Sequence, residues 1–204
     1  MIKNIVFDFG QVIVRWNPLD MVRGYVDDPD DAALLADVVF DRLYWDKLDA
    51  GTVSDGEVIA AIRARIPKRL WEVSERIFTE PAYEKPEVEG VYELVKRISE
   101  DKSKRLFLLS NLSKTLAAQA DRVRAVHLIE NRVFSSLCGY VKPDRKIFEH
   151  LCQAYNIKPE ETLFIDDNPG NIEGARNYGI AGYLFDGDVQ RLEEYVYPNE
   201  KNRD

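Results

Sequence analysis

Apolar residues follow two different spacings along the chain, and the contrast predicts where strands and helices lie. Short runs of consecutive apolar and β-branched residues are typical of buried strands. Such runs occupy residues 2–9, 104–109, 161–165 and 182–185, with a shorter candidate at 133–137. Between them, apolar residues such as Val91, Leu94, Val95 and Ile98 recur at the spacing of one helix face. Alternating strands and helices predict an α/β fold, a parallel sheet with helices on both faces.

The segment between the first two predicted strands is too long for a simple crossover. From about residue 15 to residue 85 it contains helical stripes and no strand pattern. Ser54 followed by Glu57 is a capping box that begins one of these helices. Consecutive amphipathic helices bury their apolar faces against one another as a bundle. We therefore predict an α/β core of residues 1–14 and 86–204, interrupted by a helical cap of residues 15–85.

Composition narrows the range of partners and compartments. The 204 residues include 28 basic and 36 acidic side chains, so the formal net charge is −8. A net acidic surface argues against nucleic acid or an anionic membrane as the main partner. No apolar run approaches the roughly 18 residues of a spanning helix, and the first residues resemble no signal peptide. Together with two cysteines that form no disulfide framework, this predicts a cytoplasmic protein.

Polar side chains stand where the predicted strands end. In an open parallel sheet, ligands bind beyond the carboxyl ends of the strands. The candidates are Asp8 after the first strand, Ser110 and Asn111 after the second, Asp166 and Asp167 after the third, and Lys142 in a loop before a helix. Each alone has an ordinary explanation, such as a helix cap, a turn or a solvated lysine. Their convergence at one edge of the sheet points to a functional site.

The chemistry of these side chains explains why they would occur together. Three crowded carboxylates repel one another and are costly to remove from water. A hard divalent cation such as Mg²⁺ relieves that conflict and keeps coordination sites for water and phosphate. A carboxylate can also attack a phosphoryl group and form an aspartyl-phosphate. That attack needs positive charge around the transferring oxygens, which Mg²⁺ and a lysine supply.

The four groups, in this order, resemble the motifs of the haloacid dehalogenase-like (HAD) hydrolase superfamily, over nearly the whole chain. Residues 168–176 are similar to the helix after the family's fourth motif, and the insert lies where the family carries a helical cap of its first type. The resemblance implies a Rossmann-like core and a cap that closes over the site. It also implies a small phosphorylated metabolite as substrate.

Carried over by position, the resemblance assigns a role to each group. Asp8 is implied to be the nucleophile and a metal ligand, and Lys142 to neutralise it and the phosphate. Ser110 and Asn111 are implied to bind the transferring phosphate.

The resemblance also implies a metal site. Asp166 and Asp167 form its acidic corner, with Asp167 favoured as the direct ligand, and Gly10 contributes a backbone carbonyl. Outside the motifs, Arg15 is a candidate substrate contact at the predicted hinge of the cap, with packing at the junction as the alternative.

One position departs from the common family pattern. Most family phosphatases have a second aspartate two residues after the nucleophile, acting as general acid and base, and here that position is Gly10. The first motif, residues 7–12, resembles that of the α-glucose-1-phosphate phosphatase-like subgroup. An anomeric oxygen is a better leaving group than an ordinary alcohol, so protonation matters less for such a substrate.

Three functions follow from this departure. The chain is a Mg²⁺-dependent phosphatase of a small phosphomonoester, with a sugar phosphate as one candidate. Alternatively, it is a metal-independent 2-haloacid dehalogenase, because a halide leaves without a proton. The third alternative is a catalytically weak relative that binds a phosphorylated ligand or a protein. Retention of Asp166 and Asp167 favours the metal-using phosphatase.

Overall fold

The sheet matches the apolar runs of the sequence closely. The computed structural model describes residues 1–79 and 87–198. Within them, one sheet contains β1 (Asn4–Phe7), β2 (Arg105–Ser110), β3 (Asn131–Phe134), β4 (Thr162–Asp166) and β5 (Ala181–Leu184). The strand order is β3-β2-β1-β4-β5, and every neighbouring pair is parallel. The predicted parallel sheet is confirmed, with β1 at its centre.

The predicted strand at residues 133–137 is wrong in its second half. β3 ends at Phe134, and Ser135–Cys138 form a short helix. Gly139 follows with a φ of 77°, and its amide donates a hydrogen bond to the carbonyl of Ser135. A left-handed glycine after the last turn is a common helix terminator. The local turn chemistry therefore outweighs the strand tendency of the apolar residues.

Helices occupy the described part of the predicted insert, residues 15–79, as the pattern predicts. They are α1 (Pro18–Arg23), α2 (Pro29–Val39), α3 (Arg42–Asp49), α4 (Asp55–Arg63) and α5 (Trp71–Thr79), which we call the cap. The predicted capping box of Ser54 and Glu57 is present at the start of α4. Apolar residues of these helices, among them Leu35, Val58 and Ile77, belong to one buried cluster.

The two connections between cap and sheet lie side by side. Val14 forms isolated bridge pairs with both Gly10 and Glu87. The amide of Val88 donates to the carbonyl of Ile13 at 2.9 Å. The chain thus leaves the core and returns to it at adjacent points, as an inserted unit does. The cap limits of 15 and 85 stay predictions, and residue 85 lies outside the described residues.

Helices cover both faces of the sheet. After the cap, the chain forms α6 (Val91–Glu100), α7 (Lys114–Ala117), α8 (Ser135–Cys138), α9 (Arg145–Tyr155), α10 (Pro169–Tyr178) and α11 (Val189–Val196). Ile5 and Phe7 of β1 share a buried cluster with α6, α11 and the cap, whereas Val6 belongs to a second cluster with α9 and α10. In residues 1–79 and 87–198, no helix is both long enough and apolar enough to cross a bilayer.

The turn after α3 brings the cap into direct contact with the core. Gly51 has a φ of 69°, and a Cβ built on it would lie 2.7 Å from the carbonyl oxygen of Ser136 in α8. The hydroxyl of Ser135 donates to the carbonyl of Asp49 and accepts from the amide of Leu112. Backbone therefore meets backbone at this point, where a side chain does not fit.

We predict that Gly51→Ala lowers the free energy of unfolding by clearly more than 1 kcal/mol. The left-handed conformation alone costs an alanine about 1 kcal/mol, and the collision with Ser136 adds to that cost. Urea-induced unfolding, followed by circular dichroism, measures the loss.

Gly139→Ala is the matched control for this variant. Gly139 also has a positive φ, of 77°, but no described atom lies within 4 Å of a Cβ built on it. This variant should lose only the conformational part of the free energy. Equal losses in the two variants would contradict the close contact between cap and core.

Candidate active site

Asp8 stands directly after the central strand, at the edge where the strands end. It is buried, and its amide donates to the carbonyl of Ile165 in β4 at 2.9 Å. The chain then turns tightly, because the amides of Ile13 and Val14 both donate to the carbonyl of Phe9. This turn holds the Asp8 side chain at the end of the sheet and leads the chain toward the cap.

A buried lysine joins two of the predicted carboxylates. Lys142 Nζ lies 2.6 Å from Asp8 Oδ1 and 2.7 Å from Asp166 Oδ2, and its side chain is only 2% exposed. Burial alone would lower the pKa of Lys142, but Asp8 and Asp166 outweigh burial and raise the pKa. The ammonium therefore stays charged and connects the ends of β1 and β4.

Asp166 is a positioning residue for this lysine. It is fully buried, and besides Lys142 it accepts hydrogen bonds from the amide of Asn168 at 2.8 Å and from the side chain of Asn171 at 3.0 and 3.1 Å. Asp167, in contrast, is exposed and lines the cavity described below. The two neighbouring aspartates therefore have different environments.

Three carboxylates meet at this point, as the sequence predicts. One oxygen each from Asp8, Asp166 and Asp167 lies within 4.8 Å of the others. With all three ionised and Lys142 protonated, their summed charge is −3 + 1 = −2. Oxygen donors of this charge and spacing suit a divalent cation such as Mg²⁺.

The end of β2 supplies the remaining predicted residues. Ser110 is buried and lines the cavity. Asn111 donates to the carbonyl of Lys142 at 3.0 Å and accepts from its amide at 2.8 Å. Asn111 thus fixes the backbone of the lysine loop, a contact that the sequence pattern does not reveal. One amide hydrogen of Asn111 is left for a ligand in the cavity, since a side-chain amide carries two.

Burial shifts the proton affinity of the central aspartate. Burial raises the pKa of Asp8 to about 6. The Lys142 ammonium lowers this pKa, and the Asp166 carboxylate raises it further. At neutral pH the Asp8 carboxyl is therefore mostly ionised, which is the form that can attack an electrophile.

A cavity of about 510 Å³ opens above these groups, between core and cap. Asp8, Gly10, Ser110, Asn111, Lys142 and Asp167 line its core side. The opposite wall includes the aromatic rings of Trp16, Phe40 and Trp45, whose centroids lie 5.5–5.9 Å apart. The cavity therefore has a charged end and an aromatic end.

Arg15 is not among the residues that line the cavity. It is exposed, whereas its neighbour Val14 is buried and held by the bridge pairs at the cap junction. The arginine that reaches the cavity is Arg42, at the start of α3. The predicted substrate contact at Arg15 therefore has no support in the position of this side chain.

Asp49 is a second cavity residue that the sequence does not single out. It ends α3 and is 9% exposed, and its Oδ1 accepts no hydrogen bond from any described residue. Burial raises the pKa of Asp49 to about 7, with Arg42 lowering it, Asp46 raising it, and smaller effects of Lys142 and Asp8. The sequence signal for it is its position four residues after Trp45, on the buried face of the helix.

Known proteins share both sequence and fold with this chain. A phosphorylated carbohydrates phosphatase of Thermotoga maritima is 29% identical over 129 residues, which are 59% of this chain and 57% of that protein. This match thus spans little more than half of that relative. The D-ribitol-5-phosphate phosphatase of Bacteroides thetaiotaomicron is 26% identical over 198 residues, which cover 90% of this chain and 91% of that protein.

Solved structures agree with the architecture. A structure described as that of a predicted HAD-like family hydrolase from Porphyromonas gingivalis superposes with a TM-score of 0.67 at 26% identity, covering 94% of this chain and 98% of that one. The family model described as "haloacid dehalogenase-like hydrolase" matches residues 2–179, which include every motif discussed above. The chain therefore belongs to the haloacid dehalogenase-like hydrolase family.

Proposed function

We propose that the chain is a Mg²⁺-dependent phosphatase that hydrolyses a small phosphomonoester through an aspartyl-phosphate on Asp8. The observation that supports this most strongly is the placement of Lys142 between Asp8 and Asp166, with Asp167 beside them in the cavity. This arrangement combines a buried nucleophile, a fixed positive charge and a set of oxygen donors for a cation.

The donor set fits Mg²⁺. Asp8, Asp167 and the backbone carbonyl of Gly10 would hold the ion, while Asp166 holds Lys142 in place. A bound Mg²⁺ would offset the summed charge of −2 and stabilise negative charge on the phosphoryl oxygens.

The protein groups then divide the work of phosphoryl transfer. The Asp8 carboxylate attacks phosphorus, and the Lys142 ammonium stabilises the charge that develops on the phosphoryl oxygens. The Ser110 hydroxyl and the remaining amide hydrogen of Asn111 bind further phosphate oxygens. Asn111 also forms hydrogen bonds with the backbone of Lys142, so the same side chain would position both the phosphate and the lysine.

The shape of the cavity favours a sugar or polyol phosphate as substrate. Its volume of about 510 Å³ suits a small molecule. The aromatic wall offers an apolar face for the C–H bonds of a ring or chain, and Gln11, Arg42 and Asp49 offer polar groups for hydroxyls. The two curated relatives described above are phosphatases named for phosphorylated carbohydrates and for ribitol 5-phosphate.

The dehalogenase alternative explains less of the site. Displacement of halide by a carboxylate needs no cation, so it gives no reason for Asp167 to lie beside Asp8 and Asp166. The weak-relative alternative leaves a charged lysine and an ionised aspartate buried together without a chemical use, although burying such charges is costly.

Asp8→Asn should lower phosphate release by at least about 10⁴-fold, because an amide cannot act as the nucleophile. Turnover of p-nitrophenyl phosphate with Mg²⁺ measures the loss, and circular dichroism checks the fold. Asp20→Asn is the control, since Asp20 is an exposed carboxylate of α1 that does not line the cavity. Residual activity of Asp8→Asn within tenfold of the parent would refute the assignment of the nucleophile.

Removal of the metal separates the phosphatase from the dehalogenase. We expect the protein to release phosphate from a panel of sugar and polyol phosphates with Mg²⁺, and to lose that activity in EDTA and regain it when Mg²⁺ is restored. The same protein should release no halide from 2-chloropropionate. Halide release that persists in EDTA, without phosphatase activity, would support the dehalogenase instead.

A further inference from the structure

Resting on the phosphatase proposed above, we propose that Asp49 of the cap is the general acid and base of the reaction, in place of the aspartate that is absent at Gly10. The reaction needs such a group twice. An alkoxide leaving group requires a proton, and the water that later attacks the aspartyl-phosphate must lose one.

Elimination among the titratable groups of the cavity points to Asp49. In the part of the chain that the structure describes, the cavity is lined by the ionisable side chains of Asp8, Arg42, Asp49, Lys142 and Asp167. Asp8 is the nucleophile, and Lys142 is held between two carboxylates. Asp167 belongs to the acidic corner, and an arginine does not release its proton at neutral pH. Asp49 is the group that remains.

The surroundings of Asp49 suit a proton carrier. Its side chain is buried at the cavity wall, and Oδ1 has no hydrogen-bond partner among the described residues. An unpaired buried carboxyl is costly, so the missing partner is expected from the substrate. Its raised pKa, about 7, lets the carboxyl carry a proton at neutral pH and release it during turnover.

Backbone contacts fix the position of Asp49 relative to the end of β2, where Ser110 and Asn111 lie. The carbonyl of Asp49 accepts a hydrogen bond from the hydroxyl of Ser135, which also accepts from the amide of Leu112, next to Asn111. Gly51 fixes the following turn against Ser136. The Asp49 carboxyl therefore lines the cavity from the cap, while contacts with Ser135 and Ser136 of the core fix its backbone.

The two proton transfers balance. In the first step, Asp8 forms a bond to phosphorus, the bond between phosphorus and the leaving oxygen breaks, and that oxygen takes the proton of the Asp49 carboxyl. The alcohol departs and leaves Asp49 as a carboxylate. In the second step, water attacks phosphorus, its proton passes to Asp49, and the bond from phosphorus to Asp8 breaks. Inorganic phosphate departs, and both aspartates return to their starting forms.

Dependence on the leaving group tests this role. The parent and Asp49→Asn are compared, with Mg²⁺, on p-nitrophenyl phosphate and on the fastest alkyl phosphate of the sugar and polyol panel. A phenolate needs no proton to leave, whereas an alkoxide does. For Asp49→Asn we expect kcat/KM on the alkyl phosphate to fall about 10²–10⁴-fold, and kcat/KM on p-nitrophenyl phosphate to stay within about tenfold.

The second step gives an independent readout. Without its base, Asp49→Asn should hydrolyse the aspartyl-phosphate slowly. A burst of p-nitrophenolate approaching one equivalent per protein should then precede a slow steady rate. A residue that only orders the cap would change neither the leaving-group dependence nor the burst.

Asp37→Asn is the matched control. Asp37 is an exposed carboxylate of α2 in the cap, and it does not line the cavity. Removing its charge should leave the kinetics on both substrates close to those of the parent. Circular dichroism and a thermal melt confirm that both variants are folded.

The outcomes separate this proposal from the phosphatase itself. Equal losses of kcat/KM on the two substrates, or no loss on either, would overturn the role of Asp49. A parent that hydrolyses p-nitrophenyl phosphate but no alkyl phosphate would also overturn it. A parent that releases phosphate from no substrate would instead refute the phosphatase.

Discussion

The ion pairs of one buried lysine are the interaction on which the rest of the site depends. Lys142 places its ammonium 2.6 Å from Asp8 and 2.7 Å from Asp166, and its side chain is almost fully buried. Each charge alone would be costly to bury, and removing one partner leaves the others uncompensated. Asn171 and the amide of Asn168 also donate to the Asp166 carboxylate, and Asn111 holds the backbone of the lysine. The side chain of Lys142 thereby joins the ends of β1 and β4, and the side chain of Asn111 joins the end of β2 to the same lysine.

Two aspartates face the same cavity in different environments, and the difference explains their proposed roles. Burial raises the pKa of both carboxyls, but Asp8 also lies against a lysine that favours its charged form. The Oδ1 of Asp49 has no partner within the described residues, and burial favours its protonated form. Carboxyl groups whose surroundings differ in this way can serve as nucleophile and as acid at one pH. The contact of Gly51 with Ser136 links the two, because it sets how closely the cap approaches the core.

The sequence predicts the sheet and the site residues at its edge better than it predicts the residues that line the cavity from the cap. Buried parallel strands have a continuous apolar signal, and residues at their ends meet because the strands are parallel and in register. The helix at Ser135–Cys138 depends on a left-handed glycine that follows it. Arg42 and Asp49 reach the cavity only through packing of α3 on the core. Helical spacing places Asp49 on the same face as Trp45, but it does not reveal that this face meets a cavity. Asn111 was expected at the phosphate, but its contact with Lys142 spans 31 residues of sequence.

Direct detection of a phosphorylated Asp8 tests the central claim most closely. The protein is mixed with p-nitrophenyl phosphate and Mg²⁺, quenched in acid within the first turnover, reduced with borohydride and digested for mass spectrometry. Borohydride converts an aspartyl-phosphate to homoserine, so the account predicts homoserine at position 8 in the peptide that contains it. Reduction at another aspartate, or an unmodified Asp8 at every time during turnover, would contradict the account.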